Sequence, residues 1–163
     1  MESIIRKREA TDALELAHAI AVVWNTTYKE IVDDEFLEGL LKNEEQSKEK
    51  LISNIDKQLH YYVLTLQEKI IGWIYFTLDS DKYKNATEIH SLYVLKDWQG
   101  SGYGKLLYDY AVDIILKNGL KKLVIGCLDG NPANEFYKHL GGKSLGQNLF
   151  RDKYLENIYL FEL

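Results

Sequence analysis

Three glycines fall within five residues at Gly100-Ser101-Gly102-Tyr103-Gly104, between an apolar strand pattern ending at Val94 and a helical pattern opening near Gly102. Without Cβ atoms such a segment can turn and approach a ligand where other residues would clash. The first turn of the following helix presents amides with no intrahelical acceptor and the positive end of the helix dipole, a setting that suits a pyrophosphate. A tight turn with no ligand is the bland alternative, and short glycine patterns do not decide between the two. A P-loop would need glycine at Gln99 and Ser or Thr at Leu106, so it fails. The dinucleotide pattern also fails, since from Gly102 it requires glycine at Leu107. Asp129, near the end of the next strand, keeps a nicotinamide-dependent enzyme as a distant rival.

Proton chemistry is the second theme. Glu88 and His90 stand two apart in a strand-like run from Thr87 to Val94, so they share a face and could both look into one cleft. Either could equally be solvated at a sheet edge, and a bulge in this strand would change which side chains point inward. Cys127 lies in the apolar run Lys122 to Leu128 and reads as core, because a catalytic thiol wants an electropositive, partly exposed setting. The four histidines and this one cysteine show no zinc-like spacing, so no metal is expected.

These residues need elements to hold them. Ile4-Ile5 opens a short strand, Thr11 can cap a helix with an apolar stripe from Leu14 to Trp24, and two more helical stretches follow from Asp33 and Glu44. Tyr61 to Leu66 and Ile70 to Leu78 read as a hairpin about Gln67-Glu68-Lys69. After a polar loop over 79–86 come the strand 87–94, the glycine loop and a helix ended by Asn118-Gly119. The covered strand 122–128, a short helix from Pro132 to Gly141 and a closing hairpin about Arg151-Asp152-Lys153 complete the chain. Strands 87–94 and 122–128 flank one helix and should be parallel; the rest should be antiparallel. The expectation is an α/β (α+β type) fold with a mixed sheet of six to seven strands. With no linker or repeat, one domain over 1–163 is expected.

Composition narrows the classes. With 20 basic against 25 acidic residues, the net charge of −5 disfavours a phosphate-backbone binder, so no nucleic-acid partner is expected. No apolar stretch is long enough to span a bilayer and nothing at the N-terminus reads as a signal peptide, so the expectation is a cytoplasmic protein with no membrane partner.

Leu92-Tyr93-Val94, four spacer residues and Gln99-Gly100-Ser101-Gly102-Tyr103-Gly104 resemble the signature of the GCN5-related N-acetyltransferase (GNAT) family, a Gln/Arg-x-x-Gly-x-Gly/Ala motif after a strand, matched by Gln99, Gly102 and Gly104. Ala133-Asn134-Glu135-Phe136-Tyr137 through Gly141 is similar to the family's Ala-x-x-Phe-Tyr-x-x-x-Gly helix, and the stretches 24–31 and 34–37 are similar to its acceptor-side helices. The likeness covers nearly the whole chain, with its parts in the family's order. It implies a splayed acyl-CoA N-acyltransferase fold that uses acetyl-CoA as co-substrate to acetylate a primary amine of a small molecule or peptide. It also implies roles: the backbone of Leu92, Tyr93 and Val94 pairs with the pantetheine arm, and Gln99, Gly100, Ser101, Gly102, Tyr103, Gly104 and Lys105 hold the pyrophosphate. Tyr137 then protonates the departing thiolate, and Glu88, His90 or a water takes the amine proton. Asn131 becomes a candidate CoA contact, although the commoner family spacing would put asparagine at Gly130; Gly141-Gly142 also departs from the usual Gly-Phe. A homodimer is possible on the same grounds. A non-catalytic acyl-CoA-binding module of the same fold is the nearer rival, and the identity of the amine stays open.

Overall fold

Apolar alternation in the middle of the chain builds the centre of a seven-stranded sheet, ordered β1-β2-β3-β4-β5-β7-β6. The computed structural model describes residues 2–163. Its strands are β1 Ser3–Lys7, β2 His60–Leu66, β3 Lys69–Thr77, β4 Thr87–Val94, β5 Lys122–Leu128, β6 Lys143–Phe150 and β7 Tyr154–Glu162. Its helices are α1 Ala13–Thr27, α2 Asp34–Lys42, α3 Glu44–Ser53, α4 Tyr103–Lys117 and α5 Ala133–His139, with short 3-10 turns at Ala10–Asp12 and Lys96–Trp98. Only β4 and β5 run parallel, as a crossover through α4 requires; every other pairing is antiparallel.

The two sheet faces bury different helices. Leu107, Ala111 and Ile115 of α4 and Tyr137 of α5 pack against Leu64, Ile74, Phe76, Ile89, Leu123 and Ile125. On the other face Leu16, Ala19 and Val23 of α1 meet Tyr61, Val63 and Trp73, while Tyr28, Val32 and Leu37 close over Leu128.

The first helix begins differently from the expectation that Thr11 caps it. Glu9 and Asp12 cap each other about the 3-10 turn, and α1 proper starts at Ala13. Asp12 is the better anchor because its carboxylate takes both Arg6 guanidinium nitrogens at 2.8 Å and the Glu9 amide at 2.7 Å. The β2–β3 hairpin forms without an Asn-Gly pair: Gln67 and Glu68 themselves adopt φ of 49° and 66°, the two left-handed residues of a tight hairpin turn.

Two irregularities make the site. Parallel pairing of β4 with β5 extends only over Thr87–Leu123, Glu88–Val124 and Ile89–Ile125, so beyond Ile89 the strands part. In β4, Ser91 pairs with Tyr75 and Ile89 with Phe76, which leaves His90 as an extra, unopposed residue. Simple alternation would put Tyr93 on the face of Ile89. The bulge reverses this: Val94 and Leu92 join Ile89 on the α4 face, and Tyr93 turns to the α1 face, beside Trp73 and Tyr28.

Candidate active site

Where β4 and β5 diverge they open a cavity of about 950 Å³, bounded by β4, the glycine loop, the end of α1, β5 and the start of α5. The exposed edge of β4 forms one wall. The Leu95 amide bonds to Ile71 on β3 at 2.8 Å; since backbone groups alternate sides along a strand, those of Tyr93 also face β3, and those of Leu92 and Val94 face the open edge. One of them is already used, because Gln99 Nε2 donates to the Val94 carbonyl at 2.9 Å. Gln99 therefore works as a strut that fixes the glycine loop to the strand end.

In that loop Gly100 and Gly102 have φ of 77° and 87°, and Gly102 forms the left-handed entry to α4. No backbone acceptor meets the amides of residues 100–105 among the described residues; the first intrahelical bond comes from Leu106. Gly100, Gly102, Gly104 and Lys105 border the cavity, whereas Ser101 and Tyr103 do not, and the Tyr103 ring instead packs edge-on against Trp98. Lys105 reaches Asp109 at 2.6 Å on the exposed side of α4. A free strand edge, open glycines and a set of unpaired amides at the start of a long helix fit a pantetheine arm with its pyrophosphate.

Tyr137 stands on α5, only 4% exposed. Its ring is held by Phe136 and Tyr159, yet its hydroxyl has no partner and is not sealed from the cavity. Burial holds this phenol well above its ordinary pKa, with smaller contributions from Cys127 and Tyr28, so it remains an O–H donor. Cys127 faces the same cavity, and burial, with Glu156 adding, pushes its thiol up to about 12.

Glu88 and His90 are brought together, but only His90 reaches the cavity wall. Glu88 Oε2 meets His90 Nδ1 at 3.0 Å while its other oxygen accepts from Ser80 at 2.9 Å. His90 Nε2 lies 2.9 Å from Thr77 Oγ1. The imidazole stacks on Tyr75 at 4.8 Å, Tyr75 stacks on Tyr61 at 5.2 Å, and the Arg8 guanidinium covers Tyr61 at 4.6 Å. Burial lowers the His90 pKa below 6.5 against the opposing pull of Glu88.

Asn131 is buried between β5 and α5 and lines the cavity, but its side chain serves the protein: Oδ1 accepts the Ala133 amide at 2.9 Å and Nδ2 donates to Tyr28 at 3.1 Å. Two side chains whose hydroxyls spacing did not single out also border the cavity, and a third, Glu156, packs on Gly126 without bordering it. Tyr28 and Tyr93 place their hydroxyls 2.9 Å apart, and Glu156 lies across Gly126, where an added Cβ would stand 2.5 Å from its Cδ. Glu156 carries no motif that could have flagged it; Tyr28 entered only within the stretch 24–31 that resembles the acceptor-side helices, and Tyr93 only through its backbone.

The profile of the acetyltransferase (GNAT) family matches residues 24–141, which span the α1 end, the bulged strand, the glycine loop and the Tyr137 helix. The chain belongs to that family. The nicotinamide-dependent reading of the glycine loop is thereby set aside. Among GNAT relatives, the uncharacterized N-acetyltransferase YuaI of Bacillus subtilis is 23% identical over 149 residues, covering 90% of this chain and 83% of its own. PaiA N-acetyltransferase of Thermoplasma acidophilum, solved in complex with coenzyme A, superposes with a TM-score of 0.79 at 21% identity over 100% of both chains. YncA of Salmonella typhimurium, solved with its cofactor acetyl-CoA, gives 0.73 at 16% identity over 100% of this chain and 95% of its own. The mixed, open seven-stranded sheet with flanking helices is thus the GNAT acyl-CoA N-acyltransferase fold. No helix among the described residues is long and apolar enough to cross a membrane.

Proposed function

We propose that this GNAT protein is an N-acetyltransferase that moves the acetyl group of acetyl-CoA directly to a primary amine of a small molecule or peptide, both substrates being bound together. The observation that carries the reading is the Tyr137 hydroxyl: a buried phenol without a protein partner, open to a cavity that joins an unpaired strand edge to a ring of free amides. The open groups of Leu92 and Val94 receive the pantetheine arm, and the amides from Gly100 to Lys105 take the pyrophosphate. Acetyl-CoA supplies an activated thioester; the chain supplies its alignment and the protons.

The amine nitrogen bonds to the carbonyl carbon as the carbonyl π pair moves onto oxygen. Collapse breaks the C–S bond, the electron pair leaves on sulfur, and the sulfur takes its proton from Tyr137. Desolvation raises the proton affinity of the thiolate as well as that of the phenol, so the two stay matched in the same pocket. The proton shed by the amine goes to Glu88, through His90 on the cavity wall or through a water, and solvent restores Tyr137. Cys127 does not serve as an acyl carrier in this scheme, because a thiol with a pKa of about 12 supplies almost no thiolate near neutral pH.

Isothermal titration with acetyl-CoA, followed by free-thiol release with a panel of amines, tests the proposal. Tyr137→Phe is expected to lower kcat by about 10²-fold and leave the CoA Kd unchanged. No heat on titration, or full turnover by the variant, overturns it.

A further inference from the structure

The hydrogen bonds behind Tyr137 run in one direction. Asn131 Oδ1 is occupied by the Ala133 amide, so the group facing Tyr28 is the Asn131 Nδ2, which donates to the Tyr28 hydroxyl at 3.1 Å. Tyr28 is 3% exposed, and beyond Asn131 its hydroxyl has one neighbour, the Tyr93 hydroxyl at 2.9 Å. Were Tyr28 to accept from both Asn131 and Tyr93, its own O–H would be buried with no acceptor. Both rings border the cavity, but Tyr93 is only half-buried where Tyr28 is 3% exposed, so the spare O–H falls on the more accessible ring when Tyr28 donates to Tyr93. The Tyr93 O–H is then left over, and Tyr93 lines the same cavity as Tyr137.

We propose that Tyr93 is a second catalytic donor, whose O–H hydrogen-bonds the thioester carbonyl oxygen and stabilises the negative charge that develops there as the amine adds. Tyr28 and Asn131 are positioning residues that aim it. The proposal rests on the acetyl-transfer reading above. Its geometry comes from the unopposed His90, which turns Tyr93 to the face where Tyr28 waits. The ring packs against Trp73 at 5.6 Å, a contact that phenylalanine would reproduce, so the hydroxyl is separable from the packing. A donor fixed before the reaction needs no reorganisation when charge appears. Burial, with Tyr28 adding, keeps the Tyr93 phenol well above its ordinary pKa, so it donates across the working pH range.

The test combines Tyr93→Phe, Tyr28→Phe and acetyl-CoA labelled with 13C at the carbonyl. In the wild-type protein the bound carbonyl stretch should move to lower frequency, and Tyr93→Phe should abolish most of that move. The same variant should lose about 10²-fold in kcat, keep its Kd for CoA and lose part of its preference for acetyl-CoA over CoA. Tyr28→Phe should show both effects more weakly. A ring-fluorinated tyrosine at position 93, which keeps the packing and strengthens the donor, should deepen the carbonyl shift. An unchanged spectrum and turnover in Tyr93→Phe overturn the assignment, as does equal weakening of CoA and acetyl-CoA. Failure of the wild-type protein to bind acetyl-CoA would instead refute the transfer reading itself, so the two failures are distinguishable.

Discussion

Among single residues, His90 carries the clearest division of labour. It touches the cavity and Glu88 does not, so Glu88 sets the charge behind it. With its pKa held below 6.5, the imidazole is neutral over the upper pH range and charges only in acid. The His90 contribution to stability is therefore complete above about pH 6.5 and is lost as pH falls through its depressed folded value. In the proposed scheme the acid limb of kcat/KM is expected to follow the same group. Glu88→Gln removes the charge that favours the imidazolium, so this limb is expected to move to lower pH for any one acceptor amine. A pH–rate series on the variant and the wild-type protein checks this; a limb that stays in place would show that Glu88 does not act on His90.

The secondary-structure elements were largely readable from residue pattern, with errors where local chemistry was specific. Thr11 has the right residue type for a cap, but Asp12 wins because Arg6 and the Glu9 amide converge on it. The β2–β3 hairpin was legible from its β-branched and aromatic flanks even though its turn residues are poor. Gln67 and Glu68 adopt left-handed φ with side chains that disfavour it by about 1–2 kcal/mol each. Glu68→Gly should recover about 1 kcal/mol, seen as a rise of about 2–4 °C in Tm with activity unchanged, since neither turn residue borders the cavity. A fall in Tm would mean that the Glu68 side chain contributes more than its backbone strain costs. The glycine loop illustrates the converse. Its residue types raise the expectation of an anion site, and the structure adds that Gln99 is the brace and that Ser101 and Tyr103 do not border the cavity.

For the whole molecule, the decisive feature is that a parallel pair inside an otherwise antiparallel sheet separates after three residue pairs. The gap lets side chains from both sheet faces meet: Tyr137 from the α5 side, and Tyr28 and Tyr93 from the α1 side. A ligand in this gap would bridge two halves of the sheet that are paired only from Thr87 to Ile89. Acetyl-CoA at about 100 times its Kd should stabilise the folded state by about 2.7 kcal/mol, a rise of several degrees in Tm. Thermal melts across a concentration series test this, and a flat response would mean that the ligand does not engage the native state.

The amino-acid order alone determined the strand and helix sequence, the parallel crossover, the family likeness and the positions of Gln99, the loop glycines and Tyr137, because periodicity, turn residues and short spacings are local and survive without coordinates. It could not determine the partners of Asn131, the burial of Glu156 over Gly126, or the face on which Tyr93 emerges. Those depend on contacts between residues far apart in the chain and on one unopposed residue in β4, whose pairing with β3 shifts every later side chain to the opposite face. Tertiary structure alone decided that the hydroxyls of Tyr28 and Tyr93 meet where two strands part.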